Sequence, residues 1–284
     1  SGFTKDDVTV QNGSLGSLSA VGNVYSGTLT ANAEGSVSFV VNQNGFSDSA
    51  GNLNEASTNY FTWTYDSTAP TVTITSSDVS SGGTTNNSSV SLSFTVSEAT
   101  SDFTSSDVTV SGGTLGAFSV SGNVYSASFT PSGDGAKSVS VGAGEFTDGG
   151  GTGNTASSAY SWTYDSTAPT VSLDSPNISS GTTTSANSII ARFTVSETAT
   201  GFTYDDVTVQ NGSLGALTAS GNIYTGLLTA TSPGPVRFVV NGSLFNDSAG
   251  NANTASSSYF EWTYNNTLPA VTIASSNVSS GDTS

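Results

Sequence analysis

Polar and apolar residues alternate along most of the chain. The run "SVSLSFTVS" at 89–97 does so without a break, the period of a strand with one buried and one solvated face. "DVTV" (107–110), "NVYSASFT" (123–130), "KSVSVGAG" (137–144) and "SAYSWTY" (158–164) follow, separated by Gly, Asn and Ser turns. Valines, threonines and aromatics fill the strand positions, and no stretch carries a helical stripe. Seven or so short strands per hundred residues predict an all-β fold of Ig-like β-sandwich domains.

The pattern repeats. "WTYDSTAPTV" stands at 63–72 and again at 162–171, with "WTYNNTLPAV" at 262–271. "GFTKDDVTVQNGSLG" from Gly2, "DFTSSDVTVSGGTLG" from Asp102 and "GFTYDDVTVQNGSLG" from Gly201 are one segment. A period near a hundred residues fits one sandwich per repeat, in an extended tandem array. Residues 1–66 form a partial domain that lacks the first two strands. Residues 67–166 and 167–266 are complete, and 267–284 supply the first strand of a further repeat. This frame reads as an excerpt from a longer array. A rival has the tail completing the truncated head of another copy by strand addition; it leaves a central "SVSLSFTVSE"-type strand missing and is the weaker reading. Trp63, Trp162 and Trp262 fall on each repeat's last strand, where a large side chain anchors the core. With Phe94, Val96, Val108, Phe129, Val139 and Tyr164 they make up the expected core. The proline after each short linker has fixed φ and stiffens the step into the next repeat.

Together, "FT..DVTV.NG.L", "G.VY", "F.D.AGN.N.AS" and "WTYD.TAPTVTI" resemble the bacterial Ig-like repeats of large surface adhesins, over essentially the whole chain. The resemblance implies tandem sandwiches holding an adhesive tip away from a cell, often with calcium at the junctions, and an extracellular or cell-surface location. Related repeats also form shafts of extracellular fibres.

Charge narrows the partners. There are 21 acidic and 4 basic residues among 284, a formal charge of −17. Nucleic acid and anionic membranes, which need clustered Lys and Arg, are disfavoured, and no run is long and apolar enough for membrane insertion. Divalent cations, neighbouring repeats of the same chain and other copies in a fibre remain. There is no Cys and no His, which removes thiolate metal sites, the usual zinc ligand and a Ser-His-Asp triad.

Following strand direction through 67–166 brings the linker's Asp66 to the same end as Glu98 and the loop residue Asp148, with Asp107 or Asp102 nearby. The next junction offers Asp165, Glu197 and Asp247, with Asp205 and Asp206. Hard oxygen donors from several loops suit Ca²⁺, which accepts six to eight of them flexibly. The predicted structural calcium ligands are therefore Asp66, Glu98, Asp107 and Asp148, then Asp165, Glu197, Asp206 and Asp247. The competing reading is that these acids cap turns, as "DSAGN" and "DGGGTGN" suggest. Asn265 replaces the linker aspartate in the third repeat.

Catalysis has little to build on. The acids recur with the repeat, which marks architecture rather than a glycosidase pair, and the glycine-rich pieces lack a P-loop lysine. The expected function is a non-enzymatic spacer or stalk of tandem Ig-like repeats in a surface adhesin or fibre. The alternatives are a carbohydrate- or polymer-binding module, for which Tyr204 is the one hint, or an accessory segment of a large secreted enzyme.

Overall fold

A computed structural model describes residues 2–274 and Gly281. The described residues are strands and loops, with three single 3₁₀ turns at Lys5–Asp7, Ser105–Asp107 and Tyr204–Asp206. They divide into two compact units. One comprises residues 1–82, 88–132 and 136–162, the other 83–87, 133–135 and 163–284.

The first unit contains the first repeat and most of the second. In the second repeat one sheet runs Gly113–Leu115, Val124–Pro131, Val90–Val96, Val72–Ser76, with Ser119–Ser121 also paired to Val124–Pro131. Facing it are Val108–Ser111, Gly135–Val141 and Tyr160–Tyr164. The alternation seen in the sequence is the burial pattern: Val90, Leu92, Phe94 and Val96 turn inward while the residues between face outward or lie part-covered. They meet Phe129, Val139, Val141 and Trp162 in one core. Tyr164, expected in that core, is only half-buried; it is the last residue of its strand and pairs with Thr85 at the sheet's end.

The first repeat contributes a three-stranded sheet, Val8–Gln11, Gly35–Val41 and Phe61–Tyr65, and two further strand pairs, Gly13–Leu15 with Leu29–Ala31 and Ser19–Val21 with Val24–Ser26. Trp63, expected to be buried, is half-exposed there. The cause shows by comparison with the third repeat, where Phe238 packs on Phe193 at 5.5 Å, from the strand Ser188–Val195. The corresponding Phe39 has no such strand over it among the described residues and is 37% exposed.

In the second unit the third repeat forms sheets of Val171–Asp174, Ser188–Val195, Ile223–Ala230 and Gly212–Leu214, and of Thr183–Thr184, Phe260–Tyr264, Gly234–Val240 and Val207–Gln210. Trp262 is fully buried among Phe193, Phe202, Phe238 and Phe245. Residues 267–274, expected to begin a further strand, carry none. Val271 and Ile273 are exposed, since a strand needs a neighbour to accept its backbone hydrogen bonds and no described strand pairs with them. The rest of that expected strand, at 275–280 and 282–284, lies outside the described residues.

Candidate metal centres at the repeat ends

Three chain segments reach one place in the first unit. The strand Phe61–Tyr65 ends at Asp66, whose Oδ1 accepts the Thr68 amide at 3.1 Å and turns the chain into the linker. Just past Val90–Val96, Ser97 is tied to Thr71 in both directions. Its hydroxyl accepts the Thr71 amide at 2.9 Å, and its amide donates to the Thr71 carbonyl at 3.0 Å. That double tie places Glu98 beside the linker. The third segment is the loop 142–155. Buried Asn154 shapes it, its Oδ1 accepting the amides of Glu145 and Phe146 and its Nδ2 donating to the carbonyls of Gly142 and Thr155. The Thr155 amide donates to the Pro70 carbonyl at 2.9 Å, fastening loop to linker.

As a result Asp66, Glu98 and Asp148 each offer a carboxylate oxygen within 4.8 Å of the others. Asp165, Glu197 and Asp247 do the same in the second unit, set by the equivalent ties of Ser196 to Thr170 and of Thr254 to Pro169. Asp148 and Asp247 are buried, and the other four are half-buried. Burial first, then the charges of Asp66, Asp148 and Glu34, push the Glu98 carboxyl above the usual glutamate range. Glu197 is raised by burial, then by Asp165, Asp247 and Asp134.

Asp148 supplies an independent sign of a ligand. Its Oδ1 accepts the amides of Gly150 and Thr152, at 2.7 and 2.8 Å. Its Oδ2 is buried and receives no hydrogen bond. A buried acceptor without a donor is costly, more so when it carries charge. An orphaned carboxylate oxygen among three acids is the donor chemistry a hard cation takes.

Two residues expected with the ligands lie outside both groups. Asp107 Oδ2 accepts the amide and hydroxyl of Thr104, at 2.7 and 2.9 Å, capping the 3₁₀ turn Ser105–Asp107. Asp206 caps Tyr204–Asp206 through Thr203 in the same way. Asp102, placed nearby by strand direction, is taken up by Thr100 and Thr147.

Two acids went unremarked in the sequence. Glu34 accepts the hydroxyls of the linker residues Ser67 and Thr68, at 2.8 and 2.7 Å, and Thr68 first, then Ser67, hold its carboxyl below the usual range. Asp134 accepts the amide and hydroxyl of Ser166 and the hydroxyl of Thr167. Each is a latch on its linker and adds negative charge near its triad. The available signal was acid-Gly before a strand, repeated as "EG" at 34–35 and "DG" at 134–135; Pro233 breaks it in the third repeat.

Tandem Ig-like sandwiches with acids gathered at the start of each complete repeat define the class of the molecule. The chain belongs to the bacterial Ig-like domain family, which it matches over residues 1–65, 66–164 and 165–264. No curated protein matches its sequence. Among solved structures it is similar to invasin, a bacterial integrin-binding protein, at 13% identity over 82% of this chain and 48% of that one, with a TM-score of 0.40. It is also similar to InvD of Yersinia pseudotuberculosis, at 17% identity over 73% of this chain and 62% of that one (TM-score 0.36). The adhesin InvE of the same organism matches at 14% identity over 68% of this chain and 58% of that one (TM-score 0.26). The chain thus spans about half the length of the first of these.

Proposed function

We propose that the chain is a spacer: tandem Ig-like domains of a cell-surface adhesin stalk or extracellular fibre, with the joints between repeats closed by calcium. The observation that carries the calcium reading is the grouping of Asp66, Glu98 and Asp148, each offering a carboxylate oxygen within 4.8 Å of the others, with Asp148 Oδ2 buried and without a donor. Asp66 belongs to the end of one repeat, while Glu98 and Asp148 belong to two loops of the next. A cation held by all three ties the linker to both loops. It also offsets the repulsion that otherwise favours their separation. The second triad gives Asp165, Glu197 and Asp247 the same roles. The ion supplies charge neutralisation and cross-linking, not chemistry, and the segment is read as non-enzymatic. Its partners are neighbouring repeats and, in a fibre, other copies.

Small-angle scattering with and without chelator tests this reading. Calcium is expected to increase the maximum dimension and reduce flexibility, while far-ultraviolet circular dichroism stays unchanged because the cores do not depend on the ion. The double variant Glu98→Gln, Asp148→Asn is expected to reproduce chelation at the first joint alone. Scattering curves that superimpose with and without calcium would leave turn-capping as the better account of these acids.

A further inference from the structure

The three repeats carry matching aspartate loops, and one of the places where the middle one differs is four residues after the aspartate. Asp48 and Asn52, Asp148 and Thr152, Asp247 and Asn251 occupy matching places. In every loop Oδ1 of the aspartate accepts backbone amides. The other oxygen differs. Asn52 Nδ2 donates to Asp48 Oδ2 at 2.9 Å, and Asn251 Nδ2 donates to Asp247 Oδ2 at 2.8 Å. Thr152 brings no such amide, and Asp148 Oδ2 is left buried without a donor.

Asn251 does more than satisfy Asp247. The same Nδ2 donates to the Asp165 carbonyl at 2.9 Å, so one amide already straps the loop to the linker. At the matching place Thr152 Oγ1 lies 3.5 Å from the Asp66 carbonyl, at the limit of a hydrogen bond. The join that a cation would make is therefore partly made by protein in the second triad and hardly made in the first.

We propose that the residue at 152 and 251 sets unequal calcium affinities for the two triads, with Asp66, Glu98 and Asp148 the tighter. This rests on the calcium reading above. An ion entering the first triad meets an oxygen whose desolvation is uncompensated, and its binding removes that penalty. An ion entering the second meets an oxygen already hydrogen-bonded to the Asn251 amide. It must share or displace that donor. Preorganisation by the strap works in the opposite direction. It is the smaller effect here, because in both triads the backbone is already fixed by the same Ser–Thr and Thr–Pro ties.

Calcium calorimetry on the full chain tests the proposal, with one triad silenced at a time. Glu197→Gln leaves the first site and Glu98→Gln leaves the second. The first is expected to bind about tenfold more tightly. Adding Thr152→Asn to the Glu197→Gln chain is expected to weaken the remaining site about tenfold. Adding Asn251→Thr to the Glu98→Gln chain should strengthen its site by a similar factor. Asparagine is the residue of the other two loops, so Thr152→Asn is compatible with the turn, and an unchanged melting temperature in chelator checks this. Equal affinities that neither exchange moves, or exchanges acting in the reverse sense, overturn the proposal and leave the calcium reading intact. Absence of calcium uptake by the unaltered chain overturns both.

Discussion

The rings of Trp162 and Phe129 meet edge to face, with centroids 4.7 Å apart and planes inclined at 76°. They belong to opposite sheets of the second repeat, so this contact closes the sandwich, and both side chains are essentially buried. Replacing Trp162 with Ala is expected to cost about 3–5 kcal/mol, through lost burial and the cavity left behind. The indole N–H receives no partner, so Trp162→Phe loses no hydrogen bond and is expected to cost clearly less. Urea unfolding of the second repeat checks the order of the two variants.

A second prediction concerns a paired replacement in the middle repeat. Asn12 and Asn211 hold a left-handed corner in the outer repeats, and their amides donate to carbonyls across the next turn, those of Ala33 and of Ser232 among them. The middle repeat has Gly112 there, and buried Lys137 replaces Val37 and Val236. A Cβ at Gly112 would lie 2.7 Å from the Ala136 carbonyl oxygen, 2.8 Å from Lys137 Cδ and 3.3 Å from its Nζ. The lysine chain thus fills the space of the asparagine. Gly112→Asn alone is expected to destabilise by about 1–3 kcal/mol through overpacking. Combined with Lys137→Val it should recover the part due to the lysine chain but not the part due to the Ala136 carbonyl, a coupling that a double-mutant cycle measures.

Much of this was legible in the sequence, and the failures have identifiable causes. Alternation alone marked Val90–Val96 as a strand with its apolar residues inward. Strand direction brought Asp66, Glu98 and Asp148 together, because antiparallel strands return to the same end every second step. Direction places a residue at an end, however, without saying where its side chain goes. Asp107 and Asp206 are at the right end, but each follows a threonine by three positions, the spacing of a capping box. That signature was present in "TSSD" and "TYDD" and was the better guide. Glu34 and Asp134 escaped notice because their partners are linker hydroxyls 32–34 residues away. Trp63 departs from the expectation for a simpler reason: burial depends on strands that these residues of the first repeat do not supply.

The third prediction is a pH dependence. Glu98 and Glu197 have their carboxyls raised in the folded protein, by burial first and then by neighbouring acids. A raised acid favours the folded state when protonated. Its contribution is fully present below the ordinary glutamate value of 4.5 and is lost as pH rises through the raised value. Glu34, Asp48 and Asp102 are lowered by their hydrogen bonds. Their contribution is present above their ordinary values and is lost only at more acidic pH. Between neutrality and about pH 5 the ion-free protein is therefore expected to hold or gain stability on acidification. Calcium requires the deprotonated carboxylates, so the rise in melting temperature on adding calcium should shrink over the same interval. Differential scanning calorimetry at pH 7 and pH 5, with calcium and with chelator, checks both halves. A calcium effect that grows at pH 5 would contradict the ligand assignment.

The most direct test counts ions. Calcium titration of the unaltered chain by calorimetry is expected to show two bound ions, one for each triad. Glu98→Gln should remove one, Glu197→Gln the other, and the double variant both, while Asp107→Asn and Asp206→Asn should leave the count at two because those carboxylates cap turns. A count that does not fall with Glu98→Gln or Glu197→Gln, or no uptake at millimolar calcium, would contradict the account.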